Sequence, residues 1–166
     1  MFPILSHSPI TQNTMAILPA VHIDYNCIVL ERNKQILVKQ TPIQLIKNGC
    51  LDNLATYEGR KAAVIKRTGF TRKVPIPINP DQHLYTFPTH AADHADCSWI
   101  FYQHVSYVNA LANDPTQSMI RFSNGETLTL HVSPYILRKQ LKRTLDCVAL
   151  GHRDTPRFVE CLAEFD

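Results

Sequence analysis

The chain has 166 residues, of which 45% are apolar and 19% are charged, and these proportions exclude a disordered or fibrous protein and fit one globular domain. Its formal charge is +3, but residues 31–73 carry +7 and residues 135–153 carry +4, with −4 on residues 74–134 between them. Two basic segments separated by an acidic one predict a surface in two parts for an anionic partner, rather than a uniformly basic protein.

The first third of the chain predicts an arm, three short strands and a helix. Residues 1–12 are expected to form a flexible N-terminal arm. The strands are expected over residues 14–19, 23–31 and 35–39, with a hairpin turn at residues 33–34. Thr41 and Pro42 then provide an N-cap and a proline at the first helical position, and the helix is expected over residues 43–47 with its end at residues 48–49.

A basic stretch at residues 56–77 is the main candidate for a functional surface, with six basic side chains and one acid. A helix capped by Thr56 and ended by Gly69 fits part of it, but Gly59 weakens the helical pattern, and residues 64–65 suit a strand as well. Such a block repels itself unless an anion lies nearby, and nucleic acid is the commonest such partner. A solvated basic face is the alternative.

The middle of the chain predicts further strands. Residues 71–79 are expected to be extended but cannot form a central strand, because Pro75 and Pro77 cannot donate to a neighbouring strand. Strands are expected over residues 84–87 and 99–105, joined by an acidic, histidine-bearing loop at residues 90–96.

Residues 119–132 predict a β-hairpin with a three-residue loop at residues 123–125. In this register Ile120 and Phe122 share a face with the apolar residues of the second strand, whereas a two-residue turn would scatter the apolar side chains over both faces. Gly125 supplies the left-handed residue that such a bulged loop requires.

Ser133 and Pro134 predict the start of a helix over residues 135–149. Its expected apolar stripe contains Leu137, Leu141, Leu145 and Val148. The opposite face is basic, and its two like-charge pairs at i,i+4 each cost about 0.2–0.5 kcal/mol in an isolated helix. An anionic partner would offset that repulsion, so this is a candidate contact helix; a soluble outer face is the alternative. Together the elements predict a β-rich α+β single domain with a C-terminal amphipathic basic helix.

Five cysteines, an odd number without a CxxC motif, indicate free thiols in a reducing compartment. The N-terminal residues have no basic region and are interrupted by prolines, which fits neither a signal peptide nor a membrane span. We therefore expect a cytoplasmic protein with no membrane partner.

The sequence contains no P-loop, GxGxxG, GxSxG or HExxH motif, so we expect no enzymatic activity and no cofactor. One group of residues has the right types for zinc but a spacing that matches no common finger. These weak metal candidates are His90, His94, Cys97 and His104. Loop histidines and a buried thiol explain them more simply, and no metal is expected.

The candidate DNA-binding residues are Arg60, Lys61, Lys66, Arg67, Arg72, Lys73, Arg138, Lys139, Lys142 and Arg143. Only two aromatic residues lie in the first basic segment, which argues against a platform for stacking single-stranded bases. No recognition-helix pair or zinc-finger spacing indicates reading of the major groove. Contacts of arginine and lysine with the DNA backbone and with groove shape are the mode left open.

Several segments resemble the ComK family of competence transcription factors, in order and spacing, from about residue 13 to residue 153. They are NTMAILP (13–19), VKQTPIQLI (38–46), Cys50, TYEGRK (56–61), RKVPIPINP (72–80), LYTFPT (84–89), DCSWIFYQHV (96–105), RFSNGETLTLHVS (121–133) and QLKRT (140–144).

The resemblance implies a cytoplasmic, nucleoid-associated activator of DNA-uptake genes that binds double-stranded DNA. It would recognise pairs of AT-rich boxes, mainly through the minor groove, as a self-associating protein. RNA polymerase and a proteolytic adaptor are further implied partners. Because narrow A-tracts concentrate negative potential and attract arginine, clustered Arg and Lys without a major-groove element agree with this implication.

Two departures from the family pattern leave other functions open. Family members commonly show a histidine-lysine pair before two consecutive prolines, whereas Arg72 and Lys73 here precede separated prolines. Longer members continue well past the basic helix, whereas a short acidic tail, residues 154–166, follows it here. The alternatives are a truncated paralogue that sequesters a full-length activator or an adaptor without direct activation, and a small zinc-stabilised enzyme or adaptor.

Overall fold

Two β-sheets and three α-helices make up residues 2–153, the part of the chain that a computed structural model describes. The larger sheet contains β1 (Ile4–Leu5), β2 (Thr14–Pro19), β3 (Cys27–Glu31), β4 (Gln35–Val38), β5 (Ile76–Asn79), β6 (Leu84–Pro88) and β7 (Trp99–Phe101). The smaller sheet contains β8 (Val105–Leu111), β9 (Asp114–Phe122) and β10 (Thr127–Leu130). The helices are α1 (Pro42–Asp52), α2 (Tyr57–Thr68) and α3 (Pro134–Arg153).

The larger sheet has the strand order β1-β4-β3-β2-β7-β6-β5, and the smaller one has the order β10-β9-β8. All paired strands are antiparallel except β1, which runs parallel to β4. One face of the larger sheet packs on α1 and α2, and the other face packs on the smaller sheet and α3. Since both faces are covered, β2 is an apolar run rather than an alternating one. The predicted β-rich α+β class is confirmed.

Most of the predicted strands are confirmed, with shifted ends. β2 has the predicted bounds, and β3 and β4 form the predicted hairpin, although β3 begins at Cys27 rather than at residue 23. β5 is an edge strand, as Pro77 within it requires. Within the predicted arm, Ile4–Leu5 forms β1, and the flexibility of the arm stays a prediction. The predicted acidic tail, residues 154–166, lies outside the described residues.

The predicted strand over residues 99–105 is wrong in its second half. A 3-10 turn at Tyr102–His104 follows β7, and β8 then continues in the smaller sheet. This turn therefore carries the chain from one sheet to the other. Most of β8 and the first residues of β9 were not predicted from the sequence.

The start of α1 was predicted correctly, and its end was not. Thr41 and Gln44 form a capping box, in which the Gln44 Oε1 accepts from the Thr41 amide at 2.9 Å. The helix then continues through Gly49 to Asp52. Gly49 is buried in close contact with a neighbouring segment, because a Cβ at this position would lie 2.7 Å from Ile10 Cδ1. Close packing therefore explains Gly49, which the local sequence pattern predicts to be the end of the helix.

The basic stretch takes the helical alternative. The Thr56 hydroxyl accepts from the Gly59 amide at 3.0 Å, and Gly69 ends α2 in the left-handed region with φ of 78°. The predicted hairpin register is also confirmed, since Phe122 donates to the Glu126 carbonyl and Gly125 has φ of 91°.

The apolar stripe predicted for α3 is wrong at one position. Leu145 is 53% exposed, whereas Gln140, Thr144 and Cys147 are buried. The buried face is therefore rotated from the predicted one and contains polar groups, which matter for the site described below. None of the helices within residues 2–153 combines the length and apolar character needed to cross a membrane.

Candidate nucleic-acid interface

A first basic groove of about 700 Å³ lies between α1, α2 and the loop that precedes β5. We call it the α2 groove. Its cationic residues are Lys47, Lys61, Arg72 and Lys73, and it contains one acid, Asp93. The 90–96 loop closes one side of the groove, and Tyr57 lies in its wall.

A second basic groove of about 490 Å³ lies between the same loop and α3. We call it the α3 groove. Its cationic residues are Arg72, Lys139, Lys142 and Arg143, and it contains one acid, Asp146. Lys139 and Lys142 are exposed on the helix, as the sequence predicted for the basic face.

Arg72 lines both grooves and is exposed at their junction. The two basic segments therefore meet in one continuous surface, although residues 74–134, with a net charge of −4, separate them in the sequence. We call this set the basic surface: Lys47, Lys61, Arg72, Lys73, Lys139 and Lys142. Several cations that line two adjoining grooves supply positive charge of the kind that neutralises the phosphates of a nucleic acid.

The turn at Arg72 and Lys73 is held from α3. Arg143 donates from Nη2 to the Arg72 carbonyl oxygen at 2.8 Å, and the Gln140 Nε2 donates to the Lys73 carbonyl oxygen at 2.8 Å. Lys73 adopts φ of 49°, a left-handed conformation that is uncommon for a residue with a side chain. The Arg143 guanidinium also lies over the Phe70 ring, 4.2 Å from its centroid.

Arg143 is partly buried, and its burial affects the pKa of its guanidinium. Burial lowers the pKa of the Arg143 guanidinium from its ordinary value, and the nearby Cys147 acts in the opposite direction. The group remains cationic at neutral pH because the ordinary arginine pKa is so high. Its Nη1 and Nη2, however, donate to groups of the protein, so the prediction that Arg143 contacts DNA gains no support from its geometry.

Four other predicted residues lie away from the basic surface. Arg60 and Arg67 line a third groove of about 310 Å³, whose wall is largely apolar and includes Tyr85. Residues 60 and 67 share one face of a helix, while residue 61 is rotated by about 100° from residue 60. Lys66 is exposed but lines neither basic groove, and Arg138 donates from Nη2 to the Val108 carbonyl oxygen at 2.9 Å.

Lys47 belongs to the basic surface but was missed by the sequence reasoning. Its Nζ lies 5.8 Å from the centroid of the Tyr57 ring and 3.7 Å from the Glu58 Oε1. It is the single lysine of α1 and lies outside the basic stretch at residues 56–77, and no local pattern distinguishes it. Only the packing of α1 against α2 brings it to the groove.

The weak metal candidates do not converge. The His90 and His94 rings stack with centroids 5.1 Å apart, and the Cys97 thiol donates to the His90 carbonyl oxygen at 3.5 Å. His104 lies elsewhere, hydrogen-bonded to the Gln12 carbonyl oxygen. Within residues 2–153, no three His, Cys, Asp or Glu side chains are grouped to hold a metal ion.

The cysteines of the described region are unpaired and buried, which confirms the prediction of free thiols for these four: Cys27, Cys50, Cys97 and Cys147. Burial raises the pKa of Cys27 to about 12 and that of Cys147 to about 11. Thiols with such pKa values are poor nucleophiles at neutral pH, because the thiolate is the reactive form. A structural role in the core explains them.

Comparison with known proteins agrees with the resemblance in the sequence. The family model described as ComK protein matches residues 6–151. A curated protein named competence transcription factor, from Bacillus subtilis (strain 168), is 31% identical over 132 residues, which cover 79% of this chain and 68% of that protein. No solved structure matches the chain significantly. By the extent of the family match and the level of identity, the chain belongs to the ComK family.

Proposed function

We propose that this chain is a cytoplasmic, DNA-binding transcriptional activator of competence genes that recognises AT-rich boxes, mainly through the minor groove. Its membership of the ComK family and the name of its Bacillus subtilis relative support an activator of this kind. The proposed activity is binding and needs no catalytic residue, metal or cofactor.

The observation that carries the proposal is the basic surface, in which the two basic segments meet at Arg72. If all six of its cations neutralised phosphates, the logarithm of the binding constant would fall with the logarithm of salt concentration with a slope of about −5. A surface of this kind also supports rapid association with DNA.

The residue types in the basic surface suggest which side chain contacts the minor groove and which contact the phosphate backbone. Arg72 is its single arginine and is exposed on a turn, whereas the other five residues are lysines. Arginine enters the narrow minor groove of A-tracts, where the negative potential is strongest, while lysines act as point charges toward phosphates. We therefore assign minor-groove contact to Arg72 and backbone contacts to the lysines.

Further partners follow from the family resemblance and are part of the proposal. A second copy of the chain would occupy the second of two boxes, and RNA polymerase would be engaged by the assembled protein. A proteolytic adaptor is a further proposed partner.

Fluorescence-anisotropy titration of two duplexes over about 50–200 mM salt tests the proposal. One duplex carries two A/T boxes, and the other is a G·C-rich control of equal length. Tighter binding to the AT-rich duplex that persists as salt rises supports specific readout. Equal affinity for both duplexes contradicts it, and absence of binding favours the sequestering paralogue, which gel filtration with a full-length activator then tests.

A further inference from the structure

Both terminal nitrogens of the Arg143 guanidinium donate hydrogen bonds within the protein. Nη1 donates to the Gln140 Oε1 at 2.7 Å and reaches the Lys73 carbonyl oxygen at 3.4 Å, while Nη2 donates to the Arg72 carbonyl oxygen at 2.8 Å. The guanidinium carbon lies over the Phe70 ring, 4.2 Å from its centroid. A phosphate bound in a fork through Nη1 and Nη2 would compete with these hydrogen bonds, so such a contact would weaken the hold of Arg143 on the turn.

Gln140 completes the connection to the larger sheet. Its side chain is 2% exposed, and its Nε2 donates both to the Lys73 carbonyl oxygen at 2.8 Å and to the Pro88 carbonyl oxygen at 2.7 Å. Both amide hydrogens and the amide oxygen are therefore used, since Oε1 accepts from Arg143. A buried polar network in which these groups are satisfied is rigid, because breaking any bond leaves a buried group without a partner.

The turn itself needs this support. Lys73 has φ of 49°, which residues other than glycine, asparagine and aspartate seldom adopt, and such conformations persist where the surrounding structure imposes them. The main-chain carbonyls of Arg72 and Lys73 both accept hydrogen bonds from α3. In this arrangement the Lys73 side chain lines the α2 groove, and the Arg72 side chain lies at the junction of the two grooves.

We propose that Arg143 and Gln140 are positioning residues, which hold the Arg72–Lys73 turn in the geometry that contacts DNA, and that Arg143 makes no DNA contact itself. This inference rests on the proposed function and assigns to the basic helix a role different from that of its exposed lysines. The planar guanidinium is required, because the ammonium of a lysine cannot bond Gln140 and the Arg72 carbonyl in the same fork.

The first test compares Arg143→Lys with Arg143→Ala in anisotropy titration of the AT-rich duplex, with melting temperatures measured in parallel. We expect both variants to lose roughly tenfold in affinity, since either releases the turn and weakens two cationic contacts. Retained affinity in Arg143→Lys would mean that its charge alone matters and would overturn the inference. Lys142 is the matched control on the same groove: Lys142→Ala loses affinity, and Lys142→Arg keeps it.

A double-mutant comparison separates positioning from direct contact. In the background Arg72→Ala with Lys73→Ala, we expect Arg143→Ala to cause no further loss of affinity, because the side chains through which it acts are already gone. A further loss equal to that in the wild type would show an independent DNA contact and overturn the inference.

Limited trypsin digestion tests the turn without DNA. Trypsin cleaves after Arg72 and after Lys73, and we expect cleavage there to be several-fold faster in both Arg143 variants, relative to cleavage after Lys34, the internal reference in the β3–β4 turn. Unchanged relative cleavage overturns the positioning role even if the wild-type protein binds DNA. Failure of the wild type to bind any duplex would instead overturn the proposed function. Faster cleavage at the turn in the Arg143 variants would then still show that Arg143 holds the turn.

Discussion

His104 donates from Nε2 to the main-chain carbonyl oxygen of Gln12 at 2.6 Å, across 92 residues of sequence. The bond ties the 3-10 turn between the two sheets to the segment that leads into β2. Burial lowers the pKa of His104 below its ordinary value of 6.5; the bond to Gln12 acts in the opposite direction, and the charge of Arg32 lowers the pKa further. The histidine is therefore buried in its neutral form at neutral pH.

Because the pKa of buried His104 is lowered, we expect the protein to lose stability in mild acid. The unfolded chain takes up a proton near pH 6.5, whereas folded His104 does so at a lower pH, so its contribution is complete above pH 6.5 and is lost as the pH falls toward the folded pKa. We expect the free energy of unfolding to decrease between about pH 7 and pH 5. Denaturant unfolding at a series of pH values measures it.

The variant His104→Gln is the control, because the glutamine amide can still donate to Gln12 but does not titrate. We expect its stability to depend less on pH than that of the wild type, with the remainder due in part to His90, whose pKa burial also lowers. Parallel pH profiles for the two proteins would contradict the assignment to His104.

Lys61 and Arg60 are adjacent in α2, and the sequence predicted both as DNA-binding residues. Their substitutions can be compared directly, because the two side chains line different grooves. We expect Lys61→Ala to weaken binding to the AT-rich duplex about three- to tenfold and to reduce the salt slope by about one. Arg60→Ala is expected to leave both unchanged. Anisotropy titrations at several salt concentrations measure these quantities, and an equal effect of both substitutions would argue for contact along the whole of α2.

Lys47 is expected to contribute although it lies outside the basic stretch at residues 56–77. Lys47→Ala should weaken binding about as much as Lys61→Ala, because both side chains line the α2 groove. Lys34→Ala is the matched control, since this exposed lysine on the β3–β4 turn lines neither basic groove. Equal affinity of the two variants would remove α1 from the interface.

Arg72 is expected to determine the preference for A·T pairs. Arg72→Lys keeps the charge but loses the weakly hydrated guanidinium that enters a narrow minor groove. We expect the ratio of affinities for AT-rich and G·C-rich duplexes to fall about tenfold in this variant, and to be unchanged in Lys61→Arg. The measurement is the ratio of Kd values at fixed salt, and an unchanged ratio in Arg72→Lys would place the readout elsewhere.

Features that depend on a few neighbouring residues could be predicted from the sequence. The cap of Thr56 and the left-handed stop at Gly69 define α2, and Gly125 defines the hairpin register. Each involves hydrogen bonds between residues three or four apart, so the residue types and their spacing contain the relevant information. The basic character of the two segments is likewise a property of composition.

The tertiary structure alone decided which charges share a surface and which serve the fold. Packing of α3 against the larger sheet turned Gln140 and Arg143 toward the Arg72–Lys73 turn and exposed Leu145, although the helical pattern had placed Leu145 in the core. Packing of α1 on α2 likewise brought Lys47 to the groove. The physical reason is that helix rotation and long-range hydrogen bonds are set by the surface on which a helix packs, which local sequence does not describe.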